Sequence, residues 1–192
     1  MGKTIAMLHP GEMGSAVAAC LVNAGHRVLW VGAGRSATTR ERARAAGLVE
    51  TASVAQAVQE AAIVFSICPP HAARDVAREV AACGFKGVYV DANAVAPDTV
   101  REVGKIVGAG GARCVDGGII GLPPAPGVKS RLSLSGEGAK DIAALFAGSY
   151  LVATVLDAPP GAASALKMCY AGWTKGSTAL LADIRALANV EG

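Results

Sequence analysis

No apolar window in the 192-residue sequence has the length of a membrane span without Asn, His or Arg inside it, so a membrane-spanning helix is not expected. Charge is scarce, at 17% of residues, and the net charge of +3 is spread along the chain. The clustered electrostatic footprint that nucleic acid or an anionic membrane requires is therefore missing. Paired cysteine spacings are missing too: Cys20, Cys68, Cys83, Cys114 and Cys169 stand far apart and read as buried free thiols of a reducing compartment. The opening apolar run is interrupted by "HPGEMG" and reads as structure rather than a secretory leader, and Ala6 stands where a myristoylation motif needs Ser or Thr. No internal repeat or low-complexity tract is present. What is left is a soluble cytoplasmic protein whose partner is a small molecule, with no nucleic acid and no membrane.

What the chain does have is apolar content, 52% of residues, arranged in a rhythm. Short apolar runs ("TIAMLH", "RVLWVG", "AAIVFSI", "GVYVDA") alternate with Ala-rich helical stretches ("GSAVAACLVNAG", "TTRERARAAG", "AARDVAREVAACG", "APDTVREVGKIVGAG"). Continuously apolar strands separated by helices predict a parallel sheet covered on both faces. The fold class is thus α/β, a Rossmann-type doubly wound and mostly parallel sheet. After Gly111 the segments "ARCVDGGII", "SRLSLSG" and "YLVATVL" follow with less helix between them, which predicts further strands at one edge. Residues 1–157 form the dinucleotide-binding domain on this reading. Pro159 and Pro160 suit a helix's first turn, and 158–192 reads as one long helix, too long to pack fully on the domain before it.

The first candidate site is "HPGEMG", which keeps two glycines of a G-x-G-x-x-G loop, Gly11 and Gly14, between a strand and a helix. Gly11 would let the backbone approach a pyrophosphate, with Glu12 and Met13 in the loop beside it, and Gly14 would let helix and strand pack closely. His9 replaces the glycine of the tight turn, so the structural alternative is a glycine-rich turn with no ligand. Near the end of the second strand, "VGAGRSATTRER" offers no acid for ribose hydroxyls. Gly34, Arg35 and Ser36, with Thr39 and Arg40 behind them, suit a 2′-phosphate instead, which points to NADP rather than NAD. The alternative is that Arg35 and Arg40 are solvated charges at a helix start. On the long helix, Ser164, Lys167, Tyr170 and Thr174 make a polar stripe at helical spacing.

Five motifs in order, "GEMGSAVAACLVNAGHRV", "SICPP", "VDANAVAP", "VDGGIIG" and "PPGAASALKM", resemble the N-terminal domain of the β-hydroxyacid dehydrogenase superfamily across nearly the whole chain. That superfamily includes 3-hydroxyisobutyrate and 6-phosphogluconate dehydrogenases. The resemblance implies that Cys68, Pro69 and Pro70 line the nicotinamide ribose, that Asn93 stands where a Ser or Thr contacts the nicotinamide region, and that Lys167 is the catalytic lysine. A lysine in a partly closed cleft can exchange the proton of a substrate hydroxyl while hydride passes to or from the nicotinamide. The implied activity is an NADP-dependent dehydrogenase or reductase acting on CH–OH groups of a hydroxy-acid-like substrate.

The departures fall where substrate would bind. Ile120, beside Gly121, replaces a serine that anchors a substrate carboxylate. Ala171 replaces an asparagine, with Tyr170 next to it as a substitute donor, and Thr174 replaces the second acid of 6-phosphogluconate dehydrogenases. Phosphogluconate oxidation is therefore not expected. The alternatives are a dinucleotide-binding sensor or scaffold without turnover, and an imine reductase relative, against which the retained lysine argues. The resemblance also implies that an all-α domain follows the long helix and joins two subunits, the 192 residues being a truncated form; a helix-swapped dimer is the alternative.

Overall fold

The structure is a computed structural model that describes residues 2–192. The chain runs β1 (Thr4–Met7), α1 (Glu12–Asn23), β2 (Arg27–Val31), α2 (Ala37–Ala45), β3 (Val49–Thr51), α3 (Val54–Glu60), β4 (Ile63–Ser66), α4 (Ala73–Ala82), β5 (Val88–Asp91) and α5 (Pro97–Ala109). It continues as β6 (Arg113–Ile120), β7 (Ser130–Ser135), α6 (Ala139–Ala144), β8 (Leu151–Val155) and α7 (Ala162–Glu191). The strands form one sheet in the order β3-β2-β1-β4-β5-β6-β7-β8. All neighbours are parallel except β6 and β7. The expected α/β fold with added edge strands is what the chain adopts.

Alternation along β1 explains why both faces are covered. Ile5 and Met7 point to one apolar layer with Val17 and Leu21 of α1 and Ile142 of α6. Ala6 and Leu8 point to the other, with Val76 and Val80 of α4 and Val100, Val103 and Val107 of α5. Phe65 and Phe146 meet edge-on in the first layer, with ring centroids 5.9 Å apart. Removing the fully buried Phe65 ring would cost about 3–5 kcal/mol.

Two features differ from the sequence reading. The segment 49–60 holds β3 and α3, which the apolar rhythm did not mark, because "VET" buries only Thr51. Capping marks that helix instead: the Ser53 hydroxyl accepts from Gln56 N at 3.2 Å, and the Gln56 side chain accepts from Ala52 N at 3.0 Å. Pro159 and Pro160 precede α7 rather than forming its first turn. The N-cap is Gly161 at φ 109°, a left-handed conformation that suits glycine and redirects the chain onto the sheet. The expected over-length of α7 is observed, since every residue from Thr178 onward is exposed. Among the described residues no helix is long and apolar enough to cross a membrane.

Candidate dinucleotide and catalytic site

The strand order reverses between β1 and β4, and a ligand crevice is expected outside the carboxyl ends of the strands at that point. The loop Leu8–Gly14 lies there. Gly11 N donates to His9 O at 2.9 Å, closing a tight turn, and Ser15 N donates to Gly11 O at 2.9 Å, starting α1. The amides of Glu12, Met13 and Gly14 precede the first intrahelical bond, without a side-chain cap, at the positive end of the helix. A Cβ on Gly11 would meet nothing within 4 Å, so that glycine borders open space. A Cβ on Gly14 would collide with the His9 carbonyl oxygen, so that glycine is needed for packing. His9 causes no backbone strain, because no non-glycine residue among those described has a positive φ. These features fit a pyrophosphate, as the glycine spacing predicts.

The end of β2 differs in part from expectation. Gly34 turns at φ 70°, and Ser36 caps α2 by accepting from Thr39 N at 3.2 Å. Arg40 is committed within the protein. It binds Glu50 of β3 at 2.9 Å and the Gly32 carbonyl at 2.5 Å, so it is not a free phosphate ligand. An acid, invisible in the β2 sequence, is thus brought beside the β2 end by strand pairing. Arg35 folds across the carboxyl end of β1, donating to Leu8 O at 3.4 Å. Its Nε, like His9 Nδ1, is buried without a partner. Burial first, and the Arg35 charge second, push the His9 imidazole down to about 4.

At the tips of β4 and β5, Asn93 links three neighbours. Its side-chain oxygen accepts from Cys68 N at 2.6 Å, while its amide group donates to Ser66 Oγ at 3.1 Å and to an Asp91 oxygen at 3.0 Å. Asn93 is 2% exposed, and both amide hydrogens are used. The structure therefore places Asn93 as the residue that fixes the turn at Cys68, rather than as a free side chain offered to a ligand. Pro69 and Pro70 are exposed on that turn, and burial pushes the Cys68 thiol up, keeping it protonated. Asp91 is fully buried, and desolvation raises its carboxyl to about 6.

The next strand carries α7. Asp116 is fully buried on β6 and level with Asp91 on β5. One Asp116 oxygen accepts from Ser164 Oγ at 2.6 Å. The other accepts from Gly161 N at 2.8 Å, Ser164 N at 3.0 Å and Ser135 Oγ at 3.0 Å. Ser135 Oγ in turn accepts from Ala163 N at 3.2 Å, so the two side chains satisfy the amides of the first turn of α7. Asp116 lies inside the "VDGGIIG" segment, where the signal for its role is a lone acid in an apolar strand.

Two residues beyond Asp116, a Cβ on Gly118 would lie 2.7 Å from Ala163 O and 3.1 Å from Lys167 Cβ. The absent side chain lets Lys167 sit directly on β6. Burial, then repulsion from Lys175, lowers the Lys167 ammonium from its usual value. No ion pair among the described residues uses Lys167. The remaining predicted residues are less engaged. Ile120 ends β6 and Gly121 turns at φ 127°. Tyr170 is exposed, and the Thr174 hydroxyl bonds back to Tyr170 O at 2.9 Å within its own helix. Cavities of about 690 and 590 Å³, sharing Glu137, Pro159 and Pro160, lie toward the amino end of β6, away from this crevice. No cluster of three metal-ligating side chains exists among the described residues.

A glycine loop at the sheet's switch point, with a lysine on the helix that crosses the neighbouring strand ends, defines a Rossmann-type NAD(P)-binding domain. Residues 4–94 match a family described as NADP oxidoreductase, coenzyme F420-dependent. A solved protein of unknown function, described as structurally similar to 3-hydroxyacid dehydrogenases, is 32% identical with a TM-score of 0.83, covering 98% of this chain and 71% of its own. At 24% identity and a TM-score of 0.80, 3-hydroxyisobutyrate dehydrogenase from Mycobacterium tuberculosis matches 100% of this chain and 67% of its own. An imine reductase from Myxococcus stipitatus, 20% identical with a TM-score of 0.78, matches 98% of this chain and 65% of its own. An uncharacterised 28.5 kDa protein of Methanothermus fervidus is 31% identical over 156 residues, 81% of this chain. This chain spans 59% of that relative's length. The chain belongs to the β-hydroxyacid dehydrogenase superfamily of NAD(P)-dependent oxidoreductases.

Proposed function

We propose that this chain is the cofactor-binding part of an NADP-dependent oxidoreductase that interconverts a hydroxyl and a carbonyl on a hydroxy-acid-like substrate. The observation that carries this reading is the packing of Lys167 against Gly118 of β6, a strand beside β5 in the sheet that carries the glycine loop. Gly11, Glu12, Met13 and Gly14 would hold the pyrophosphate, Gly34 and Ser36 would meet the adenosine end, and Arg35, folded over the end of β1, would lie between the two. Cys68, Pro69 and Pro70 would border the nicotinamide ribose, with Asn93 fixing their turn. The nicotinamide, when bound, supplies hydride transfer. Lys167 does the proton work. With its ammonium lowered by burial, it takes the hydroxyl proton as the carbonyl forms and returns it in the reverse direction. Ile120 and Gly121 offer substrate an apolar side chain and backbone, which favours a bulkier or less charged group than a short hydroxy acid. The exposed apolar residues of α7, including Leu180, Leu181, Ile184 and Leu187, support its burial in a following helical domain that joins two subunits.

A second reading, a dinucleotide sensor without turnover, is favoured by Ile120 and by the internally bonded Thr174 hydroxyl. An imine reductase is disfavoured, because an iminium substrate needs no lysine base. Side-by-side titrations with NADPH and NADH, followed by a hydroxy-acid screen with Lys167→Ala as control, separate them. Preference for NADPH, binding that weakens on Arg35→Ala and turnover lost in Lys167→Ala support the proposal. Tight binding with no turnover supports the sensor, and turnover that survives Lys167→Ala removes the lysine mechanism.

A further inference from the structure

His9 Nδ1 and Arg35 Nε are two buried, unpartnered nitrogens on the loops after β1 and β2, near enough for the Arg35 charge to act on the His9 ring. Arg35 lies across the end of β1, with Nη2 on the Leu8 carbonyl, and its charge bears on both His9 and the Cys68 thiol. It therefore reaches toward the loop that would hold the pyrophosphate, while Ser36 and Thr39 remain at the start of α2. An Arg Nε–H is only a donor, and a protonated imidazole Nδ1–H is a donor as well. An anionic oxygen satisfies both groups, and no protein oxygen among the described residues does so.

The geometry points to His9 as a proton-coupled phosphate ligand: on dinucleotide binding it takes a proton from solvent and donates, together with Arg35, to the pyrophosphate. This rests on the dinucleotide-binding reading above. Without ligand, burial and Arg35 keep the ring neutral near pH 7. A bound anion opposes both the desolvation and the Arg35 charge and favours the imidazolium. The titratable groups of the neighbouring loops do not substitute for that anion. Glu12 on α1 and His71 after β4 are exposed, and Cys68 is held as a neutral thiol. Because coupling is reciprocal, a ligand that raises the His9 affinity for a proton must bind more tightly as pH falls.

Calorimetric titration of the full chain with NADP⁺ and with NAD⁺, between about pH 5.5 and 8 in buffers of different ionisation enthalpy, tests this. Imidazole NMR of His9 with and without nucleotide gives a second readout. The expected result is net proton uptake with both nucleotides, affinity rising about tenfold toward acid, and a His9 ring that titrates higher when bound. His9→Asn, with His9→Gln as a second variant, should abolish both the proton uptake and the rise in affinity toward acid. Binding without uptake, uptake that persists in both variants, or uptake with NADP⁺ alone (which would belong to the 2′-phosphate) overturns the proposal and leaves the dinucleotide reading intact. Binding of neither nucleotide at any pH overturns both.

Discussion

Asp116 and Ser164 are joined twice: the carboxylate accepts the Ser164 hydroxyl on one oxygen at 2.6 Å and the Ser164 amide on the other at 3.0 Å. This pair fixes the first turn of α7 on β6, and with it the position of Lys167 one turn on. Ser164→Ala removes one charge-assisted bond and should lower stability by about 1–2 kcal/mol in urea titrations. Asp116→Ala leaves several buried donors unpaired and should cost on the order of 3 kcal/mol or more. A cost for Asp116→Ala no larger than for Ser164→Ala would show that the helix start is held by something else.

The two loop glycines should respond differently to the same change. Gly11→Ala points a methyl into open space, so the fold should lose no more than about 1 kcal/mol of N-cap preference while NADPH affinity falls at least about tenfold. Gly14→Ala drives a methyl against the His9 carbonyl, so it should lower both the melting temperature and the affinity. Equal nucleotide binding by Gly11→Ala and the parent would remove the loop from the site.

Gly118→Ala should act on Lys167 from beneath. The added methyl meets Ala163 O and Lys167 Cβ, so α7 must move outward and Lys167 becomes more hydrated. Stability should fall by about 1–3 kcal/mol, and the Lys167 ammonium, followed by NMR of the methylated amine, should titrate closer to a free lysine. A smaller volume change elsewhere in β6, such as Ile119→Val, should leave that titration unmoved.

Asp91 and His9 should give opposite pH dependences of stability. Asp91 is raised from 3.8 to about 6 by burial, so between those values the folded state holds the extra proton, and stability falls as pH rises. His9 is lowered from 6.5 to about 4, so over that window the unfolded state holds the extra proton, and stability falls as pH drops. Each contribution amounts to about 1–3 kcal/mol, and in the parent they largely cancel. Denaturant titrations from about pH 4 to 7 should therefore show Asp91→Asn losing stability toward acid and His9→Asn losing it toward neutrality. The same slope in both variants would contradict the assignment.

Hydrogen exchange should divide α7. Amides near Ala163 and Ser164 are buried or bonded to Asp116 and Ser135, and should be among the protected ones. From Thr178 onward nothing packs on the helix, so in the isolated chain those amides should exchange much faster. Uniform protection to Glu191 would reveal a partner already seated on the exposed Leu and Ile residues.

The sequence by itself determined the parallel heart of the sheet, because strands buried on both faces must read as unbroken apolar runs, as "IAML" and "IVFS" do. It also marked the glycine loop and the lysine on the long helix, since turn chemistry and helical spacing are local properties. Only the tertiary structure decided the rest. Strand pairing brought Glu50 beside Gly32 to tie down Arg40, and hydrogen bonds across 48 positions made Asp116 the anchor of α7. It was tertiary contact, too, that turned Asn93 inward to hold the Cys68 turn and folded Arg35 back onto the end of β1. Each of these depends on which side chains meet across separate strands and loops, and that is settled by packing and by the need to pair every buried polar group, neither of which has a period in the sequence.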